Sequence, residues 1–124
     1  MTVKEYNEME KPAYCKSTAK DTDLVCKISG YIFLVQRTND FNNVIMFRTT
    51  KTTRSIVTVL AKFREFCIKN GVEYLRLEMH KNRQLEKVFK FWQKEHNDES
   101  ELNIVFAPRE TVECCEYVYY VRLV

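Results

Sequence analysis

From Leu24 onward the apolar positions change period several times, and each change marks an element. LVCKIS and YIFLVQ, residues 24–29 and 31–36, are rich in β-branched and aromatic residues and separated only by the Ser29-Gly30 punctuation. They read as two strands, joined by a tight hairpin or interrupted by a bulge at Gly30. The polar cluster TNDFNN, 38–43, predicts a turn, and NVIMFR, 43–48, a third strand too apolar to be solvated on either face, so inside a sheet. Ile56, Val59, Leu60, Phe63 and Cys67 then recur at i, i+3, i+4, i+7 and i+11, a helical stripe. Thr53 or Ser55 caps its start, and Gly71 after Asn70 ends it in a left-handed conformation. VEYLRLEM, 72–79, sets Leu75, Leu77 and Met79 against Tyr74, Arg76 and Glu78 and predicts a strand. Leu85, Val88, Phe89 and Trp92 form a second helical stripe that runs to about His96. HNDESE is a loop, LNIVF (102–106) a strand, and ECCEYVYYVRLV a long closing strand with Tyr117, Tyr119 and Val121 alternating.

The expected order is β-β-β-α-β-α-β-β. A strand, helix and strand with a helix of this length imply a right-handed crossover between parallel strands, while the flanking strands pair antiparallel. The fold class is therefore α+β or α/β, a mixed central sheet with two helices against it. Residues 1–22 lack periodicity, contain Pro12 and carry scattered charge, which predicts a flexible or loosely attached arm before a single domain over 23–124.

Composition adjusts this picture little. The chain has 124 residues, 45% apolar and 30% charged, which suits one globular domain that needs no staples. Its five cysteines are odd in number and have no CxxC or metal-type spacing with His80 or His96, so they read as reduced and structural. No run approaches the ~18 apolar residues of a membrane span, and MTVKEYNEMEKP lacks a signal peptide's apolar core, so the expected location is cytoplasmic. Net charge is +3, unevenly placed: residues 48–94 hold 12 Lys and Arg against 4 Asp and Glu. That asymmetry suits a surface for phosphates or nucleic acid, and it suits equally the solvated faces of two basic amphipathic helices.

GYIFLVQR, NVIMFRTTKTTRSIV, KNGVEYLRLEM and LEKVFKFWQKE together resemble the core of the GNAT family of N-acetyltransferases. The wording covers residues 24 to about 96, and strand order extends the likeness to the C-terminus. In that family an acetyl-CoA loop of the form Q/R-x-x-G-x-G/A joins the fourth strand to the next helix. The resemblance lays it on Lys51-Thr52-Thr53-Arg54-Ser55-Ile56, where only the leading basic residue matches. Glycines in such a loop let backbone amides approach a pyrophosphate at a helix N-terminus. Arg54 and Ile56 place bulk there, leaving Arg48, Lys51 and Arg54 with the hydroxyls of Thr49, Thr50, Thr52, Thr53 and Ser55 to hold phosphate through side chains. The resemblance also implies a tyrosine acid on the later helix, but the wording puts Trp92 or Phe89 there, and neither donates a hydroxyl proton. For the base it leaves Glu78 or Glu73, since NVIMFR has no carboxylate, with Glu78 the stronger choice. An oxyanion donor would be a backbone N–H near Met46 or Phe47. Family domains also carry a strand and two helices ahead of the second strand; here about 22 polar residues stand in that place.

Three functions follow as expectations. The first is a GNAT-like domain, of a kind found among phage and mobile-element products, whose acetyl-CoA site has degenerated and which serves to bind a protein partner. The second is a working acetyltransferase that moves acetyl from acetyl-CoA to an amine, with Lys51 and Arg54 replacing the glycine cradle and water or Tyr74 replacing the acid. The third is a nucleic-acid binder that uses the basic region and stacks bases on Tyr31, Phe33 or the C-terminal tyrosines. YVYYVRLV, read as an exposed edge strand, further predicts a homodimer through the C-terminal strand.

Overall fold

The structure is a computed structural model that describes residues 1–12, 15–38, 42–49, 55–79, 83–95, 103–106 and 117–123. It is an α+β fold built on a mixed sheet. The elements are α1 (Val3–Glu8), β1 (Leu24–Ile28), β2 (Tyr31–Arg37), β3 (Asn42–Arg48), α2 (Ile56–Lys69), β4 (Tyr74–Met79), α3 (Arg83–Glu95), β5 (Asn103–Phe106) and β6 (Tyr117–Arg122). Six strands lie in the order β1-β2-β3-β4-β6-β5, with β3 and β4 parallel and every other neighbouring pair antiparallel.

Local chemistry explains the element ends. Ser29 and Gly30 both adopt positive φ, 48° and 85°, between the paired residues Ile28 and Tyr31. This is a two-residue hairpin, and positive φ at both centres is what the right-handed twist of the flanking strands requires. At the start of α2 the Ser55 hydroxyl accepts the Thr58 N–H at 3.3 Å. At its end Gly71 (φ 77°) sends its N–H to Ile68 O, and Val72 sends its own to Cys67 O. That bond pair is a Schellman stop, and it turns the chain so that Val72 is buried.

The sheet has two covered faces. On one, α2 and α3 pack over Phe33, Val35, Val44, Leu75, Leu77 and Val121. On the other, α1 and the segment after it cover Val25, Ile32, Leu34 and Phe47. The second layer corrects two expectations. The helices number three among the described residues, not two, and residues 1–22 are not a loosely attached arm. Thr2 and Glu5 close a reciprocal capping box on α1. Tyr6 is wholly buried, with its hydroxyl 2.8 Å from Ser17 Oγ and its ring 6.4 Å from that of Phe47. Asn7 brackets Ala19, donating to its carbonyl at 3.0 Å and accepting its N–H at 2.7 Å. Asp23 then closes the segment onto the sheet by accepting the N–H of Lys20 at 2.8 Å and of Arg37 at 3.1 Å.

The C-terminal strand also differs from expectation. β6 pairs with β4 on one side and β5 on the other, so its backbone groups are engaged within the sheet. An interior strand offers no free ladder to a second copy, which removes the edge on which the homodimer rested.

Candidate functional site

The loop singled out by its basic and hydroxyl residues begins at a fixed point. Thr49 places both its N–H and its hydroxyl on the Gly30 carbonyl, at 2.8 and 3.0 Å, tying the exit of β3 to the β1–β2 hairpin. Arg48, the last residue of β3, is exposed just before it. Lys51, Thr52, Thr53 and Arg54 lie outside the described residues. Ser55, at the far end, is the helix cap, and its hydroxyl also lies 3.1 Å from Thr58 Oγ1. The candidate phosphate ligands that are described thus stand at opposite ends of the loop, Arg48 and Thr49 at one and Ser55 at the other.

Beside this loop the sheet forks. β3 and β4 pair only at Asn42 with Leu75, Asn43 with Arg76 and Val44 with Leu77, after which the strands part. The Thr49-to-Gly30 bond sets the phase of the β2–β3 ladder. In an antiparallel ladder the bonded residues alternate, so Ile45 and Phe47 exchange bonds with β2 while Val44, Met46 and Arg48 direct their backbone groups away from it, toward β4. Beyond Val44, β4 has left, and the Met46 N–H and C=O face the opening. Of the two oxyanion candidates this favours Met46 over Phe47. The Cys15 thiol, from the segment after α1, stands 3.9 Å from that Met46 carbonyl as a weak donor.

The remaining catalytic candidates are dispersed. Glu78 is the first β4 residue past the paired stretch, at the mouth of the fork. Glu73 is exposed ahead of β4, where its carbonyl accepts the Leu123 N–H. Tyr74 is half exposed at the closed end of the fork: its carbonyl takes a bond from Asn42, and the Arg122 guanidinium lies 5.9 Å from its ring. Four residues of strand, about 13 Å, separate it from Glu78, so it is not placed to act there as an acid. Phe89 and Trp92 are buried with ring centroids 5.5 Å apart. Arg64, which donates to the Leu123 carbonyl, sets its guanidinium 5.3 Å from the Trp92 ring. Both positions read as acid sites are core.

Of the proposed base-stacking platforms, Phe33 is core as well and Tyr31 packs against it. Phe33 is buried and stacked on Phe63 at 4.1 Å, and Tyr31 is half buried against the same cluster. Across the other face runs a polar row in which Arg76 donates to Asn43 Oδ1 at 3.0 Å and Asn43 donates to Gln36 Oε1 at 3.0 Å. This row ties β2, β3 and β4 together where the fork closes.

Among the described residues, hollows open to solvent at two places with distinct chemistry. A polar cleft of about 660 Å³ lies beside the N-terminal segment, lined by Lys11, Lys16, Ser17 and Thr18 among others. An apolar groove of about 430 Å³ lies between α2 and α3, lined by Val57, Ala61, Val88, Phe91 and Trp92 with Gln84 and Lys87. Of the residues read as site positions, Trp92 lines the apolar groove, while Arg48, Ser55, Glu73 and Tyr74 are not among the described lining residues of either hollow. Neither the groove nor the Cys15 contact was read from the sequence. A second apolar spacing on α2, Val57 and Ala61 one turn apart and off the main stripe, was the available signal for the groove. Among the described residues no helix is long and apolar enough to cross a membrane, and no cluster of His, Cys, Asp and Glu is arranged to hold a metal. No protein-family model, curated protein or solved structure matches the chain.

Proposed function

We propose that this protein is a GNAT-like domain with a degenerate acetyl-CoA site that acts by binding a protein partner rather than by transferring an acetyl group. The observation that carries the reading is the packing of Phe89 and Trp92: the helix that should present a proton donor to a leaving thiolate presents core side chains. A site without its general acid loses about 10² to 10⁴ in rate. Two further features support it. The loop sequence Lys51 to Ile56 lacks the glycines of a backbone cradle, and the Cys15 thiol already stands against the Met46 carbonyl in the fork.

A second reading, an active acetyl-CoA-dependent N-acetyltransferase, is favoured by the fork itself. There the Met46 N–H points to the side on which β4 has parted from β3, and Glu78 is the β4 position at which the parting begins, so a donor able to polarise a thioester carbonyl and a position bearing a carboxylate belong to the same fork. Isothermal titration with acetyl-CoA separates the two. The partner-binding reading expects no heat and no thermal shift at millimolar ligand. Micromolar binding that Arg54→Glu abolishes would replace it with the enzyme reading and justify an acceptor screen.

A further inference from the structure

The groove between α2 and α3 has a composition that neither reading uses. Its floor and walls are apolar: Val57 and Ala61 stand one turn apart on α2, and Val88, Phe91 and Trp92 face them from α3. Phe91 is 60% exposed and Val57 46%, so the groove leaves hydrocarbon in water that an apolar ligand would cover. Among the described lining residues one carries charge, the cation Lys87, and exposed Lys90 follows it along the helix. No carboxylate is among them.

We propose that this groove binds a medium-chain monocarboxylate, with its chain along Val57, Ala61, Val88 and Phe91 and its carboxylate accepting hydrogen bonds from Lys87 and Gln84. Three observations select that class. A volume of about 430 Å³ lies within the range of small-molecule sites, roughly 300–1,000 Å³. A partner helix, about 10–12 Å across, asks for a longer and wider trough. From Gln84 to Phe91 the helix rises about 10 Å, which fits a medium chain and not a long one. The Lys87 cation beside Gln84 complements a negative head, and its stem can lie along the chain while the ammonium meets the carboxylate. The proposal goes beyond partner binding and does not depend on it.

Trp92 lines the groove and is the only tryptophan in the chain, so its emission reports occupancy directly. The experiment titrates the full chain with decanoate, beside butyrate and neutral 1-decanol. The expected result is a saturable change in emission below the micelle concentration that butyrate does not produce. Phe91→Glu should weaken decanoate at least tenfold, because it places a charge on the apolar wall. Lys87→Glu should weaken decanoate roughly two- to fivefold and leave 1-decanol unchanged. Both residues are exposed, so the variants should fold, as a thermal melt will check. The proposal is overturned by the absence of a saturable change, or by an unchanged response in Phe91→Glu. It is overturned too if acetyl-CoA displaces decanoate, which would make the groove part of a cofactor site. A response to anionic phosphatidylglycerol vesicles with none to monomeric decanoate would replace it with a membrane-contact surface.

Discussion

Cys26 and Cys67 meet under α2, in the core it forms with β1, and burial pushes both thiols up to about 12. Proximity to Cys26 raises Cys67 further. A thiol whose folded pKa lies above its unfolded value costs nothing while both states are neutral. Stability is therefore intact below pH ~9, where the unfolded thiols begin to ionise, and falls as pH rises from there toward 12. Each thiol contributes a slope of up to about 1.4 kcal/mol per pH unit in that window. The melting temperature should be insensitive to these groups at pH 7–8 and drop above pH 9, less steeply in Cys26→Ala than in the native chain. Alkylation at pH 8, read by mass, should label neither residue until denaturant is added; rapid labelling of the folded chain would contradict their burial. Periodicity already placed Cys67 on the stripe of α2, just as it marked Phe89 and Trp92 as core on α3. It could not place Cys15 against Met46, because that contact joins residues 31 positions apart through a segment with no period of its own.

Elements with a strong period and a chemical stop were legible to within a residue or two. α2 is the clearest case: its cap, Ser55, and its terminator, Gly71, are both visible in the sequence, and the structure uses both. Nothing lies within 4 Å of where a Gly71 Cβ would sit, so Gly71→Ala isolates the cost of a left-handed backbone from any clash. Urea denaturation should show a loss of about 1–2 kcal/mol with an unchanged m-value. A neutral result would mean that the Schellman turn relaxes at no cost. α1 was missed because six residues are too few to show a period, although Thr2-x-x-Glu5 is a capping-box signature. The fork between β3 and β4 was beyond reach for a different reason. Strand sequences specify which face is apolar, but the register at which two parallel strands stop pairing depends on how the crossover helix seats on the sheet.

At the scale of the whole molecule, the sheet is a barrier between two unequal cores, and the smaller one depends on the first 22 residues. Val25, Ile32, Leu34 and Phe47 would face water without α1 and the strap that follows it. The strap is held by directional bonds: Tyr6 to Ser17, Asn7 to Ala19, and Asp23 to the backbone of Lys20 and Arg37. This arrangement makes Tyr6 the residue on which the second layer turns, and two substitutions separate its contributions. Tyr6→Phe keeps the ring and removes the hydroxyl. Ser17 retains its bond to the Cys15 carbonyl, so the expected loss is about 0.5–1.5 kcal/mol. Tyr6→Ala empties a fully buried site and should lose about 3–5 kcal/mol, a large fraction of the 5–15 kcal/mol typical of a whole domain. If residues 1–22 were a loose arm, both variants would fall within about 0.5 kcal/mol of the native chain in chemical denaturation, as exposed substitutions do. A large loss in Tyr6→Ala with a small one in Tyr6→Phe would instead establish the segment as the second wall of the sheet.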